Sequence, residues 1–236
     1  MNEQVVPVLS DLPAAAFLAP FAAGVLVFCG KHLGHWLWQA LTVLGSAATL
    51  FVGLVMASMV LERKVIICWN NELRVDAVSA IMVVLIGAIS LAATIYSVRY
   101  VSHAAKLERA ENHASNSKLW IYHWLILLFV ATMVWGCVTN NLIMLFVAVE
   151  ATTLTSGFLV AFFWDRRALE AAYKYLMLLT IGITVALFGC VLLYSGAAAT
   201  GKLDGGNALL ISEIKNVVSF VPTGTAILAA SFLIIG

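Results

Sequence analysis

The stretch LIMLFVAVEATTLTSGFLVAFFW, residues 142–164, decides the fold. It is apolar for the length of a membrane crossing, since about 20 such residues in a helix span the ~30 Å hydrocarbon core. It is interrupted near its centre by one carboxylate, Glu150. The dipeptide Asn140-Asn141 just before it is a turn signal, and Asp165-Arg166-Arg167 closes it on the far side. A helix over 142–164 carries Glu150 about nine residues in, roughly 13 Å from its start.

The rest of the chain has the same character. Of its 236 residues 63% are hydrophobic and 11% charged, against about a quarter charged in a soluble domain. Barrel strands would alternate over about ten residues, and the sequence does not. A net charge of +1 makes no case for nucleic acid. Cys29, Cys68, Cys137 and Cys190 are scattered singly, with no Cys-x-x-Cys pair and no histidine at ligand spacing, so neither a metal nor a cofactor is expected. Residues 1–11 hold Glu3 and Asp11 and lack a positive n-region, so the first apolar segment reads as a retained helix rather than a signal peptide.

The fold class that follows is all-α and integral to the membrane, one transmembrane domain over 1–236. About seven helices are expected, over 12–30, 36–61, 75–98, 119–138, 142–164, 169–194 and 222–236, the last incomplete because the sequence stops inside an apolar run. Residues 62–74 read as an extramembrane strand and turn, with Asn70-Asn71 as the turn, and 99–118 as a polar loop. Asp76 is placed to cap the third helix. Ala208 to Phe220 has the spacing of a surface helix. Seven Lys and Arg residues in one set of alternating loops against five in the other place the N-terminus outside and the 99–118 loop in the cytoplasm. Trp36, Trp38, Trp120, Trp124 and Trp164 fall at expected helix ends, where indoles anchor at headgroup level.

Inside the spans, a few ionisable groups need explaining. A carboxylate at the centre costs on the order of 2.5–3.5 kcal/mol on insertion scales, and Glu150 is too deep to snorkel. Hydrocarbon disfavours its charged form, which suits a group that loads and releases a proton; a protonated Glu bonded to a neighbouring helix is the plainer alternative. Thr153 follows at i+3 and Gly157 at i+7, with Thr152, Thr155 and Ser156 widening a polar arc that also fits ordinary small-residue packing. Lys174 sits near the start of the sixth helix with Glu170 at i−4, either snorkelling or titrating under the influence of its neighbours. Counted from the turn between the two helices, Glu150 and Lys174 differ in depth by roughly 13 Å, so water or His123 would have to bridge them. His123, early in the fourth helix, is either a satisfied structural histidine or part of a proton relay. His103 and His113 fall in the polar loop.

The wording Thr139-Asn-Asn-Leu-Ile-Met144, Val149-Glu-Ala-Thr-Thr-Leu154 and Leu169-Glu-Ala-Ala-Tyr-Lys174, with Tyr96-Ser97-x-x-Tyr100 at the exit of the third helix, resembles the antiporter-like membrane subunits. That group takes in the large membrane subunits of complex I, the Mrp cation/proton antiporters and component F of hydrogenase-4 and formate hydrogenlyase, to which the wording is most similar. The resemblance covers nearly the whole chain and follows the N-terminal half of the family fold. It implies that Glu150 is the family's helix 5 glutamate, half of a Glu–Lys pair for proton transfer, that Lys174 matches a lysine common in helix 6, and that the usual partner lysine lies in helix 7, past Gly236.

The expected function is a proton-translocating subunit of a redox-driven complex of the hydrogenase or NADH/quinone oxidoreductase type. Glu150, Lys174 and His123 would carry the proton, with Thr153 and Glu170 in support. The chain would hold no redox centre of its own; its partners would be other membrane subunits and a peripheral redox arm, in the lipid of a bacterial-type cytoplasmic membrane. A stand-alone Mrp-type antiporter subunit and a structural or assembly subunit are the alternatives. A seven-helix receptor fits the helix count but not the tight Asn140-Asn141 turn or Glu150.

Overall fold

The computed structural model describes residues 6–30, 35–62, 64–112, 119–162, 164–203 and 209–236, with the side chains of 6, 7, 35 and 102–112 left aside. The elements run β1 (Val6–Leu9), α1 (Leu12–Cys29), α2 (His35–Leu61), β2 (Lys64–Cys68), β3 (Leu73–Val75), α3 (Ala77–Asn112), α4 (Leu119–Val138), α5 (Leu142–Val160), α6 (Arg166–Ala199), α7 (Ile211–Val217), a 3₁₀ turn (Val218–Phe220) and α8 (Thr223–Ile235). Among the described residues six helices, α1 to α6, are long and apolar enough to cross a membrane, with mean hydropathy from 1.8 to 2.6. α8, apolar and 13 residues long, falls where the seventh, incomplete helix is expected. The protein is an all-α integral membrane protein.

The chain divides into two compact units. The first takes in residues 1–68 and 75–138. In it α1 packs on α2 and α4, and α2 on α3 and α4. α2 and α3 approach closely because Gly87 lets the Leu50 backbone in: a Cβ on Gly87 would stand 2.7 Å from Leu50 Cα. Small residues allow such backbone contact where lipid supplies no hydrophobic drive between helices. β1 lies parallel to β2 in the register Val6↔Lys64 to Leu9↔Ile67.

α3 corrects one expectation. Its apolar span ends at Val101, but the helix continues to Asn112, through what the sequence reads as a polar loop. Residues 104–111 are Ala, Lys, Leu, Glu and Arg, all strong helix formers, so polarity ends the membrane span without ending the helix. His113 and Lys118 lie outside the described residues. At its start, the Asp76 carboxylate accepts the Ser79 N–H at 2.9 Å, capping the helix as its residue type implies. Trp38 is a second correction: it is 7% exposed and donates its indole N–H to the Gly30 carbonyl at 2.8 Å, tying α2 to the end of α1 instead of anchoring at the headgroups.

The second unit takes in residues 69–74 and 139–236. α5 packs on α6, and α6 on α7 and α8. Asn141 caps α5, its side chain accepting from Ile143 N at 3.0 Å and Met144 N at 3.3 Å. After α5 the chain turns through Trp164 at φ 55°, and Asp165 caps α6 through the Arg166 N–H. α6 is longer than its sequence expectation at both ends, and residues 204–208 lie outside the described residues. α7 shows Ile214 and Val217 buried and Lys215 exposed, the two-faced pattern of a surface helix.

Candidate functional site

Glu150 sits on the ninth residue of α5, near the middle of the 19-residue span, and is half-buried. Among the described residues no hydrogen bond or ion pair is made by its carboxylate. The hydroxyls around it are committed to their own helix. Thr153 is buried and donates to the Val149 carbonyl at 3.0 Å, Thr152 to Ala148 at 2.8 Å, and Thr155 to Ala151 at 2.8 Å. Serine and threonine in a helix readily bond back to a carbonyl a turn earlier, so these groups give α5 a polar stripe without reaching Glu150. Ser156 likewise donates to the Thr153 carbonyl at 2.8 Å, and in addition its oxygen lies 2.9 Å from the Tyr175 hydroxyl of α6, from which it accepts.

That bond and the next contact set the α5–α6 register. Gly157 faces the Leu176 side chain, close enough that a Cβ would stand 2.5 Å from it, and Leu142 shares an apolar cluster with Cys190. The helices run antiparallel with 142 opposite 190 and 157 opposite 176, so Glu150 is level with about residue 182 and Lys174 with about residue 158. At 1.5 Å per residue the two differ in depth by about 12 Å. They are not brought into contact. Lys174 instead meets Glu170 on its own helix, Nζ to Oε1 2.6 Å, with the side chains 72% and 61% exposed.

His123 belongs to the first unit. It is 2% exposed on α4, its Nδ1 3.0 Å from the Thr42 hydroxyl of α2. Thr42 donates its one proton to the Trp38 carbonyl at 2.7 Å, so it accepts from His123, and the imidazole carries a proton on Nδ1. The neutral ring then has its basic nitrogen at Nε2. Sequence reading singled out His123 but not Thr42, one of several α2 hydroxyls.

A polar clasp in the second unit was also missed. Asn140 Nδ2 donates to the Asn71 carbonyl at 2.8 Å and to Ser212 Oγ at 2.9 Å, and Asn140 Oδ1 accepts from Ser212 N at 3.2 Å. Asn141 Nδ2 donates to Glu72 Oε2 at 2.9 Å, and Asn71 Nδ2 reaches Ser212 Oγ at 3.2 Å. The residues before it, Trp69, Asn70 and Asn71, all have positive φ (49°, 54° and 71°), a conformation Asn tolerates better than Trp. The Asn140-Asn141 dipeptide signals a turn, but nothing local signals that its side chains hold a segment 69 residues upstream and the start of α7.

Two family models match the chain: residues 69–109 match the N-terminus of chain 5 of NADH-ubiquinone oxidoreductase (complex I), and residues 139–236 match the transmembrane region of NADH:quinone oxidoreductase and Mrp antiporters. The second match holds Glu150, Glu170 and Lys174. A hydrogenase-4 component F homolog of Methylacidiphilum infernorum is 26% identical over 69% of this chain and 33% of its own length. The fold is similar to a chain of the membrane-bound sulfane sulfur reductase, an archaeal respiratory membrane complex, with a TM-score of 0.79 at 18% identity over 96% of this chain and 44% of that one. It is also similar to a chain of respiratory complex I from Thermus thermophilus, with a TM-score of 0.66 at 20% identity over 95% and 42%. The chain spans about a third of the curated relative and less than half of the solved chains. The chain belongs to the antiporter-like membrane subunit family shared by complex I, hydrogenase-4-type complexes and the Mrp antiporters.

Proposed function

We propose that the chain is an ion-translocating subunit of a redox-driven membrane complex, and that Glu150 is the group that takes up and releases the proton. The observation that carries this reading is a carboxyl at mid-span on α5 with no hydrogen-bonding or ionic partner among the described residues. A carboxyl kept only for packing would be expected to bond to a neighbouring helix, because an unsatisfied polar group in hydrocarbon is costly. In the neutral form it holds a proton; in the charged form it needs a cation or water brought to it. Charges interact strongly at low dielectric, so a charge moving nearby would shift its proton affinity.

Lys174 lies about 12 Å from that depth and is held by Glu170, so it acts on Glu150 only through intervening water or through release from Glu170. Thr153 supports by shaping the polar side of α5. His123, protonated on Nδ1 toward Thr42, would take up and release a second proton at Nε2. Other membrane subunits and a peripheral redox arm would be the partners, in a bacterial-type cytoplasmic membrane, and the electrons would stay with those partners. The hydrogenase-type relative favours this setting over a stand-alone Mrp-type subunit.

The test is Glu150→Gln in the assembled complex, with proton pumping followed in inverted vesicles and assembly by native gel. Pumping is expected to fall sharply while assembly and electron transfer persist. Unchanged pumping refutes the proposal; loss of assembly alone, with flux per assembled complex intact, assigns Glu150 a structural role.

A further inference from the structure

An open groove of about 680 Å³ lies in the first unit between α2 and α3, lined by Val43, Ile95, Tyr96, Val98, Arg99 and Tyr100. Its volume is in the range of small-ligand sites, about 300–1,000 Å³. Its depth follows from α3: the apolar span ends at Val101, so Arg99 stands two residues, about 3 Å along the axis, from the membrane boundary. A guanidinium there lies at headgroup level, where Tyr also concentrates.

The two phenols are arranged beside the charge. Tyr96 and Tyr100 are one turn apart with stacked rings, centroids 5.5 Å and planes at 22°, and both are exposed. The walls are fixed from behind: Gln39 Nε2 of α2 donates to the Val98 carbonyl at 3.2 Å, and the Ser97 hydroxyl is used on Thr94 O at 2.8 Å. Among the described residues no carboxylate pairs with Arg99, whose planar fork of donors matches a phosphate. Val43, Ile95 and Val98 give the same groove an aliphatic side that a free anion has no use for.

We propose that this groove holds an anionic phospholipid, its phosphate on Arg99 and the Tyr96 and Tyr100 hydroxyls, and one acyl chain along Val43, Ile95 and Val98. The Tyr-Ser-x-x-Tyr exit of α3 then has a physical role separate from ion movement: it fastens that helix end to the charged leaflet. The site is independent of Glu150.

The experiment places the complete protein in nanodiscs of mixed phosphatidylglycerol and phosphatidylcholine and counts retained lipids by native mass spectrometry. Wild type is expected to retain phosphatidylglycerol over phosphatidylcholine. Arg99→Gln should lower that retention about fivefold, the worth of one basic residue at a membrane surface. Arg99→Lys should recover most of it, Val43→Trp should lower it with the charge intact, and Arg74→Gln should leave it unchanged. Excess inorganic phosphate should not displace the lipid. Equal retention of the two lipids, full retention by Arg99→Gln, an equal loss in Arg74→Gln, or displacement by phosphate would each overturn the proposal.

Discussion

Replacing Gly189 with Ala tests the seat of α8 on α6. Gly182, Gly189 and Gly196 recur every seven residues along α6, each against the α8 end of the unit. At Gly189 a Cβ would stand 2.9 Å from the Ala229 carbonyl oxygen and 2.9 and 3.0 Å from Leu233 Cγ and N. Two of those three atoms are backbone, so no rotamer change relieves them. Ordinary carbon–oxygen approach is about 3.3–3.6 Å, so α8 as a whole must move out by roughly 0.5 Å. Such overpacking costs about 1–3 kcal/mol, while Ala in place of Gly in a helix gains about 0.8–1.0 kcal/mol. The two effects nearly cancel at the low end, so a control is needed. At Gly224, near the start of α8, an added Cβ meets nothing within 4 Å, and the substitution reports the propensity gain without the clash. Gly189→Ala should therefore be less stable than Gly224→Ala by about 1–3 kcal/mol, the clash cost alone. Steric-trapping or SDS-unfolding equilibria in bicelles measure that difference. Equal stability of the two variants would refute the close α6–α8 seat.

Asn140→Ala should release the clasp: three hydrogen bonds go, among them the one that holds the Ser212 N–H, for a loss of about 1–3 kcal/mol and faster amide exchange confined to residues 210–217, read by hydrogen-exchange mass spectrometry. Thr42→Val removes the acceptor of the His123 Nδ1–H and should destabilise the first unit by about 1–3 kcal/mol; nitrogen NMR of the imidazole should show the Nδ1-protonated form in wild type, and the opposite tautomer there would refute the assignment.

The visible and hidden parts of the site differ in range. Glu150 stands out in the sequence because a charge in hydrocarbon is expensive wherever the chain goes, so one residue against twenty apolar ones is already informative. The Lys174–Glu170 pair is legible because i and i+4 meet on any helix. The His123–Thr42 bond is not, since 81 residues separate the two and several α2 hydroxyls were candidates. The roles of the α5 hydroxyls were open for a related reason: a Thr can serve a carboxylate or its own backbone, and only coordinates show that Thr152, Thr153 and Thr155 serve the backbone. The extension of α3 to Asn112 was hidden by a conflict of signals, polarity arguing for a loop and propensity for a helix.

By itself the sequence determined that the protein is a bundle of apolar helices and that one of them carries a carboxyl near its middle, because bilayer thickness and backbone hydrogen-bond demand act on every chain alike. It also determined the cap at Asp76 and the turn at Asn140-Asn141, which depend on residues close by in the chain. Only the tertiary structure decided which glycines admit a neighbouring backbone, how α5 and α6 are staggered, which nitrogen of His123 carries its proton and which distant residues Asn140 holds. Those follow from how side chains far apart in the chain fill each other's space and satisfy each other's hydrogen bonds, and no local pattern encodes that.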